Sequence, residues 1–177
     1  MLTRNPPASE IPEAAKPRWH PAQHKIVTSW KRTTLALAGT GGGKTSIGYW
    51  WLLTRMRLYP NESWLVGFPD YGLLELVILS QPDPERLTLH GFLAAHGERP
   101  ILHRRSGHIE TRNGNIFFVS GGDLVGWQGA HVKGAWLDEF DDMPLAAYRM
   151  AMERTRMRGG WVLLTGTPRH VRWVKEE

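Results

Sequence analysis

The chain has no cysteine among its 177 residues. Disulfide staples and thiolate-held metal sites are therefore excluded, and nothing in the composition points to an oxidising compartment. Long apolar runs are also missing, so no segment is suited to crossing a bilayer. The amino terminus, MLTRNPPASEIPEAAKPRWHP, is proline-rich and mixed in charge and lacks the apolar centre of a signal peptide. These absences lead us to expect a soluble, intracellular protein with no membrane partner. There is no internal repeat and no low-complexity tract, and the 8 histidines show none of the spacing of a zinc site. Acidic residues are relatively scarce: 17 Asp and Glu stand against 22 Lys and Arg, a net charge of +5. Such a balance favours polyanionic partners through counterion release without proving one. The length suits one domain with a real core. Most of the 9 tryptophans are expected to pack in it.

What the chain does have is glycine in one telling place. Residues 38–45 read Ala-Gly-Thr-Gly-Gly-Gly-Lys-Thr. Glycines at 39, 41, 42 and 43 can turn successive N–H groups inward around phosphate oxygens. Lys44 is then expected to reach the β and γ phosphates of a nucleotide. Thr45 opens a helix whose N-terminal dipole faces the anion, and its hydroxyl suits Mg²⁺; Thr40 and Ser46 belong to the same nucleotide-binding stretch. The strict pattern has glycine where Ala38 stands, a small residue that the turn tolerates. A short apolar strand over residues 33–38 and a helix over 46–56 give the loop its proper setting.

Further along, an apolar run ends in Leu137, Asp138 and Glu139. Adjacent acids at the end of a buried strand are costly unless a counter-charge sits there, and a Mg²⁺·nucleotide at the strand's carboxyl end supplies it. Asp138 is the candidate metal ligand. Glu139 is the candidate for orienting the water that attacks the γ phosphate. Asp141 and Asp142 follow, so the bland alternative is a solvated acidic turn. A third signal, residues 163–169 (LLTGTPR), brings a core strand and polar residues to the same sheet edge. Thr165 or Thr167 is expected to bond the γ phosphate or Glu139.

Between these motifs strands and helices alternate, which predicts a mostly parallel sheet covered by helices. Helices are expected over residues 21–30, 71–80, 85–96 and 145–158, and strands over 64–68, 133–137 and 161–165. Residues 107–120 break the rhythm with a β-hairpin signature, Asn113-Gly114 supplying the tight turn. Residues 1–18 carry prolines at 6, 7, 12 and 17 and are expected to form an extended arm ahead of a domain spanning 19–177.

These motifs, in this order, resemble the ATPase domain of tailed-phage large terminases. The resemblance runs from about Trp19 to Arg169. It includes the stretch from Trp19 to Gln23, the hairpin with Ser120, Gly121, Gly122 and Asp123, Gly129 and Ala130 ahead of the acids, and Thr167-Pro168-Arg169. It implies a P-loop NTPase fold of the RecA/ASCE type with an inserted hairpin. The activity it implies is Mg²⁺-dependent ATP hydrolysis driving viral double-stranded DNA into a procapsid. By the same resemblance Gln23 contacts adenine, Lys44 is the Walker A lysine, Asp138 and Glu139 are the metal and catalytic acids, and residues 165–168 form the coupling motif.

The implied partners are double-stranded DNA, bound through its phosphates without sequence preference, further copies of the chain in a ring of about five, the portal, and the small terminase subunit. The implied place is the cytoplasm of an infected bacterium, with transient docking on the procapsid. Lys133, Arg149, Arg154, Arg156 and Arg158 are the basic residues expected to face phosphates. Two departures stand out. Terminases often have an arginine where Gln128 stands, leaving Arg104, Arg105 and Arg112 as candidates for acting on a neighbour's nucleotide. The nuclease domain that normally follows is expected to lie outside this chain, which would be the motor half. The rival readings are the first RecA-like domain of a superfamily-two helicase, and a nucleotide-gated module without turnover, which would have no need of Glu139.

Overall fold

A computed structural model describes residues 19–79, 88–123 and 131–168. The expected arm over residues 1–18, Gln128 with the neighbouring Gly129 and Ala130, and Arg169 lie outside the described residues. The described elements run α1 (Pro21–Val27), β1 (Thr33–Leu37), α2 (Lys44–Leu58), β2 (Glu62–Phe68), α3 (Tyr71–Leu74), a π-helical turn (Glu75–Leu79), α4 (Leu89–Ala95), β3 (Ile101–His103), β4 (His108–Thr111), β5 (Gly114–Ser120), β6 (Gly134–Asp138), a 3₁₀ turn (Phe140–Asp142), α5 (Leu145–Arg156) and β7 (Trp161–Gly166).

The strands make one 7-stranded sheet in the order β1-β7-β6-β2-β5-β4-β3. Pairings from β1 through β5 are parallel, and β4 and β3 continue the sheet antiparallel. This is the α/β P-loop fold expected from the alternation, with the hairpin of β4 and β5 in place. β6 and β7 are buried along their whole length, as central parallel strands covered on both faces must be. Their side chains alternate between two apolar layers. Trp136 and Leu163 join the layer with α2 and α4 (Trp51, Leu52, Met56, Phe92), whereas Ala135, Leu137, Val162 and Leu164 join the layer with α5 (Ala147, Ala151). Tryptophans 51, 64, 136 and 161 are buried in the first layer, with Trp30 and Trp50 packed against it. Among the described residues no helix is long and apolar enough to cross a membrane.

Some boundaries differ from the sequence reading. The helix expected over 71–80 is α3 followed by the wider π turn, and the one expected over 85–96 is described only as Leu89–Ala95. β3 was not anticipated. It has three residues, too few to show alternation, and exists because Ile101 and His103 find register opposite Glu110 and His108.

Two features set the site. Helix α2 presses directly on β6, because Gly48 has no side chain: a methyl group there would stand 2.1 Å from the Trp136 ring. The loop between β1 and α2 reverses through left-handed angles at Gly41 (φ 77°) and Gly43 (φ 73°). L-residues with a Cβ resist that region.

Candidate active site

Parallel strands β1, β7 and β6 all end on one side of the sheet, and the Gly-rich loop caps that end. A cavity of about 480 Å³ opens there, lined by residues 40–46, Glu139, Asp141, Asp142 and Thr167. The volume falls within the usual range of small-molecule sites. Thr40, Gly41, Gly42, Gly43, Lys44, Thr45 and Ser46 thus form one wall and the acids the other.

Lys44 begins α2 and is 6% exposed. Its ammonium donates to Ala38 O at 3.0 Å, Gly39 O at 3.2 Å and Thr167 Oγ1 at 3.0 Å, and lies 3.8 Å from Glu139 Oε1. Thr167 directs its own hydroxyl proton toward Glu139 Oε2, 3.3 Å away. A cation, a hydroxyl and a carboxylate are therefore held together in a compact triangle beside the cavity. Glu139 has φ 49°, in the left-handed region, which a residue with a Cβ adopts only when its neighbours hold it there.

Asp138 sits deeper, buried at the end of β6. Thr45 Oγ1 donates to its Oδ2 at 2.9 Å, and Thr165 Oγ1, directly across on β7, to its Oδ1 at 2.7 Å. Trp136 Nε1 donates to Thr165 Oγ1 at 2.7 Å, which fixes the hydroxyl's direction. Burial raises the Asp138 carboxyl to about 6; the hydroxyls of Thr165 and Thr45 pull it down, and the Glu139 charge pushes it up. The two oxygens facing the loop, Thr45 Oγ1 and Asp138 Oδ2, are hard donors of the kind Mg²⁺ prefers. Among the described residues no cluster of three or more His, Cys, Asp or Glu side chains is arranged around a metal position. A metal here would complete its shell with water and phosphate oxygens, which is how Mg²⁺ is usually held.

The remaining sequence-predicted residues divide. Thr167 lines the cavity, whereas Thr165 is buried beneath it and bonded to Asp138. Gly39 touches Lys44 through its carbonyl and does not line the cavity. Gln23 stands against the back of the loop, its Nε2 2.9 Å from where a methyl group on Gly43 would lie, and its Oε1 accepts the His20 N–H at 3.1 Å. Lys133 leaves the set of basic residues free to meet phosphates: it is buried, donates to Arg158 O at 2.9 Å and lies over the rings of Tyr59 and Trp161. Asp141 and Asp142, which sequence reading assigned no role, also line the cavity, and Asp141 alone of the two is buried. In a run of acids nothing marks which one turns inward.

No protein-family model matches the sequence, and no curated protein does. Among solved structures the chain is similar to the large terminase of a thermophilic bacteriophage, with TM-score 0.68 and 19% identity, covering 81% of this chain and 38% of that one. It is similar also to the large terminase ATPase domain of Thermus phage P74-26, with TM-score 0.71 and 20% identity, covering 91% of this chain and 68% of that one. A more distant likeness is to the gp11 DNA packaging motor of Phi-28, with TM-score 0.51 and 12% identity, covering 84% of this chain and 49% of that one. The first of these terminases has been solved with ADP and with ATP-γ-S. The chain spans well under half the length of that terminase and about two thirds of the P74-26 ATPase domain. It has the α/β fold shared by the ATPase domains of phage large terminases.

Proposed function

We propose that this chain is a packaging-motor ATPase that hydrolyses ATP with Mg²⁺ and moves double-stranded viral DNA into a procapsid. The observation that carries the reading is the cavity itself, in which Lys44 is linked through Thr167 to Glu139 while Thr45 is bonded to Asp138. Loop N–H groups and Lys44 suit the β and γ phosphates; Thr45 and Asp138 suit the cation. Thr45 and Asp138 would hold Mg²⁺, which when bound would supply positive charge against the phosphate oxygens. Glu139 is exposed enough to meet a water in the cavity, and Thr167 holds its carboxylate on the phosphate side. Thr165 belongs with Asp138 and acts on the metal side of the site. Gln23, beside Gly43, is assigned to the adenine.

The DNA contact is through phosphates and independent of sequence, with Arg149 and Arg156 exposed on α5. Assembly into a ring of about five, with the portal and small subunit as partners in the host cytoplasm, follows from the motor reading. The test is steady phosphate release by purified protein with ATP and Mg²⁺. Glu139→Gln is expected to abolish release while keeping ATP affinity. If that variant turns over normally, hydrolysis by this site is wrong. A chain that binds ATP but never releases phosphate, with Glu139→Gln indistinguishable from it, would instead be a nucleotide-gated module.

A further inference from the structure

Asp141 stands two residues past Glu139, on the 3₁₀ turn Phe140–Asp142, and is 7% exposed. Its Oδ1 accepts the Thr167 N–H at 3.1 Å. A side chain on the loop leaving β6 is thereby tied to the main chain of the segment leaving β7. Thr167 is the residue whose hydroxyl accepts from Lys44 at 3.0 Å and donates toward Glu139 at 3.3 Å. The N–H and the hydroxyl of Thr167 are thus both fixed, the first by Asp141 and the second between Lys44 and Glu139.

The neighbourhood is shaped around this bond. At Gly166 a methyl group would stand 2.2 Å from Asp141 Oδ1 and 2.8 Å from the Phe140 ring, so any larger residue would push the carboxylate off the Thr167 amide. Phe140 is fully buried in the layer with α5 and anchors the turn from below. Between them these contacts hold Glu139 in its left-handed conformation, φ 49°, a backbone state that persists only where its surroundings over-determine it.

We propose that Asp141 is a positioning residue for hydrolysis: by accepting the Thr167 amide it locks the Thr167 hydroxyl against Glu139 and so fixes the aim of that carboxylate. The inference rests on the ATPase reading above. It makes a chemical distinction, because an acceptor oxygen is what the Thr167 N–H requires, whereas a role for Asp141 on the cation or the attacking water would require its charge. Asparagine keeps the oxygen and loses the charge; alanine loses both.

The experiment measures phosphate release, ATP affinity and amide hydrogen exchange of Thr167 in the full chain. Asp141→Ala and Gly166→Ala are expected to lower kcat by roughly 10- to 100-fold, the scale of a reacting group misplaced by about 1 Å, with KM and ATP affinity within about twofold of wild type. Asp141→Asn is expected to restore most of kcat, and Thr167 N–H to exchange slowly in wild type and Asp141→Asn but fast in Asp141→Ala. The proposal is overturned if Asp141→Asn is as slow as Asp141→Ala, which would make the charge the working feature. It is equally overturned if Asp141→Ala turns over at the wild-type rate, or if Thr167 exchange is indifferent to residue 141. Failure of the underlying reading looks different: wild-type protein would release no phosphate while its Thr167 amide still depended on Asp141.

Discussion

A carboxylate taken out of water at the end of a doubly covered strand is the most expensive residue in the site. Asp138 is held at about 6 chiefly by burial, against the help of two hydroxyl donors. Its folded-state pKa exceeds its unfolded one, so folding favours the protonated form. That contribution is complete below the unfolded value of 3.8 and is lost as pH rises through about 6. Above that, the ionised group costs stability unless a cation stands beside it. Asp138→Asn should therefore be more stable than wild type at pH 7–8 in metal-free buffer, by on the order of 1–3 kcal/mol, with the difference vanishing toward pH 4. A melting series across that range checks the sign, and a variant less stable at every pH would contradict it. Lys44 presents the opposite case, since its ammonium is satisfied by Ala38 O, Gly39 O and Thr167. Lys44→Ala removes the one cation among the described residues that line the cavity. Its turnover should fall at least ~10²-fold, as when a charge-stabilising donor is lost, and unchanged phosphate release would take the Gly-rich loop out of the mechanism.

At the scale of elements, helix α2 carries the loop's lysine and threonine, and its seat decides where they point. Arg55, near its end, is 1% exposed and sits among the rings of Trp30, Trp51 and Trp161, at 5.1, 4.2 and 5.8 Å from their centroids. It donates to Val27 O at 3.1 Å and to Ser29 O, tying α2 to the end of α1 and to the segment that follows it. Burial lowers its pKa to about 9, yet two carbonyls and three indole faces keep the guanidinium in place without a carboxylate among the described residues. Lysine has neither the planar fork nor the stacking surface. Arg55→Lys should lower stability by about 2–4 kcal/mol, read as a drop in urea midpoint at constant slope, and a shift under about 1 kcal/mol would mean that the cage tolerates any cation.

The elements were legible in the sequence to the degree that their periodicity was strong. β6 and β7 are apolar runs up to Leu137 and Leu164, and Asn113-Gly114 announced the hairpin between β4 and β5. β3 was invisible because a three-residue edge strand is created by its partner. The π turn after α3 was invisible because one extra residue per turn leaves no compositional mark. Within the site, glycines, lysine and adjacent acids could be read as neighbours because their chemistry is specific: the glycines at 41–43, Lys44 and Glu139 line one cavity, and Asp138 lies beneath it, bonded to Thr45. The division of labour between Thr165 and Thr167 could not be read. It depends on strand register, which sends Thr165 inward beside Trp136 and Asp138 and leaves Thr167 past the strand's end. The part played by Asp141 was hidden for the same reason.

At the scale of the whole molecule, the sheet order separates the three arginines considered for action on a neighbouring subunit. β5 ends at Ser120 on the same side as Asp138, and β4 starts opposite Phe117, so the β3–β4 turn with the exposed Arg104 and Arg105 lies at the nucleotide end of the sheet. Arg112, at the β4–β5 turn, lies at the other end. β4 is three strands away from β6, roughly 14 Å at the usual strand spacing, farther than an arginine side chain extends to its own site. Arg104 and Arg105 are thus out of reach of their own site, and if copies of the chain assemble as proposed, the motor should depend on them in trans. Replacing both by alanine should leave ATP affinity within about twofold and slow turnover by ~10³-fold, the scale of an arginine finger. Mixing this double variant with Glu139→Gln provides the decisive measurement. Each alone is slow, but in a mixed ring a subunit with intact Glu139 receives arginines from a Glu139→Gln neighbour, and phosphate release should recover in proportion to such contacts. If mixtures stay as slow as their components, or if Arg112→Ala alone reproduces the loss, the β3–β4 turn does not supply the missing charge.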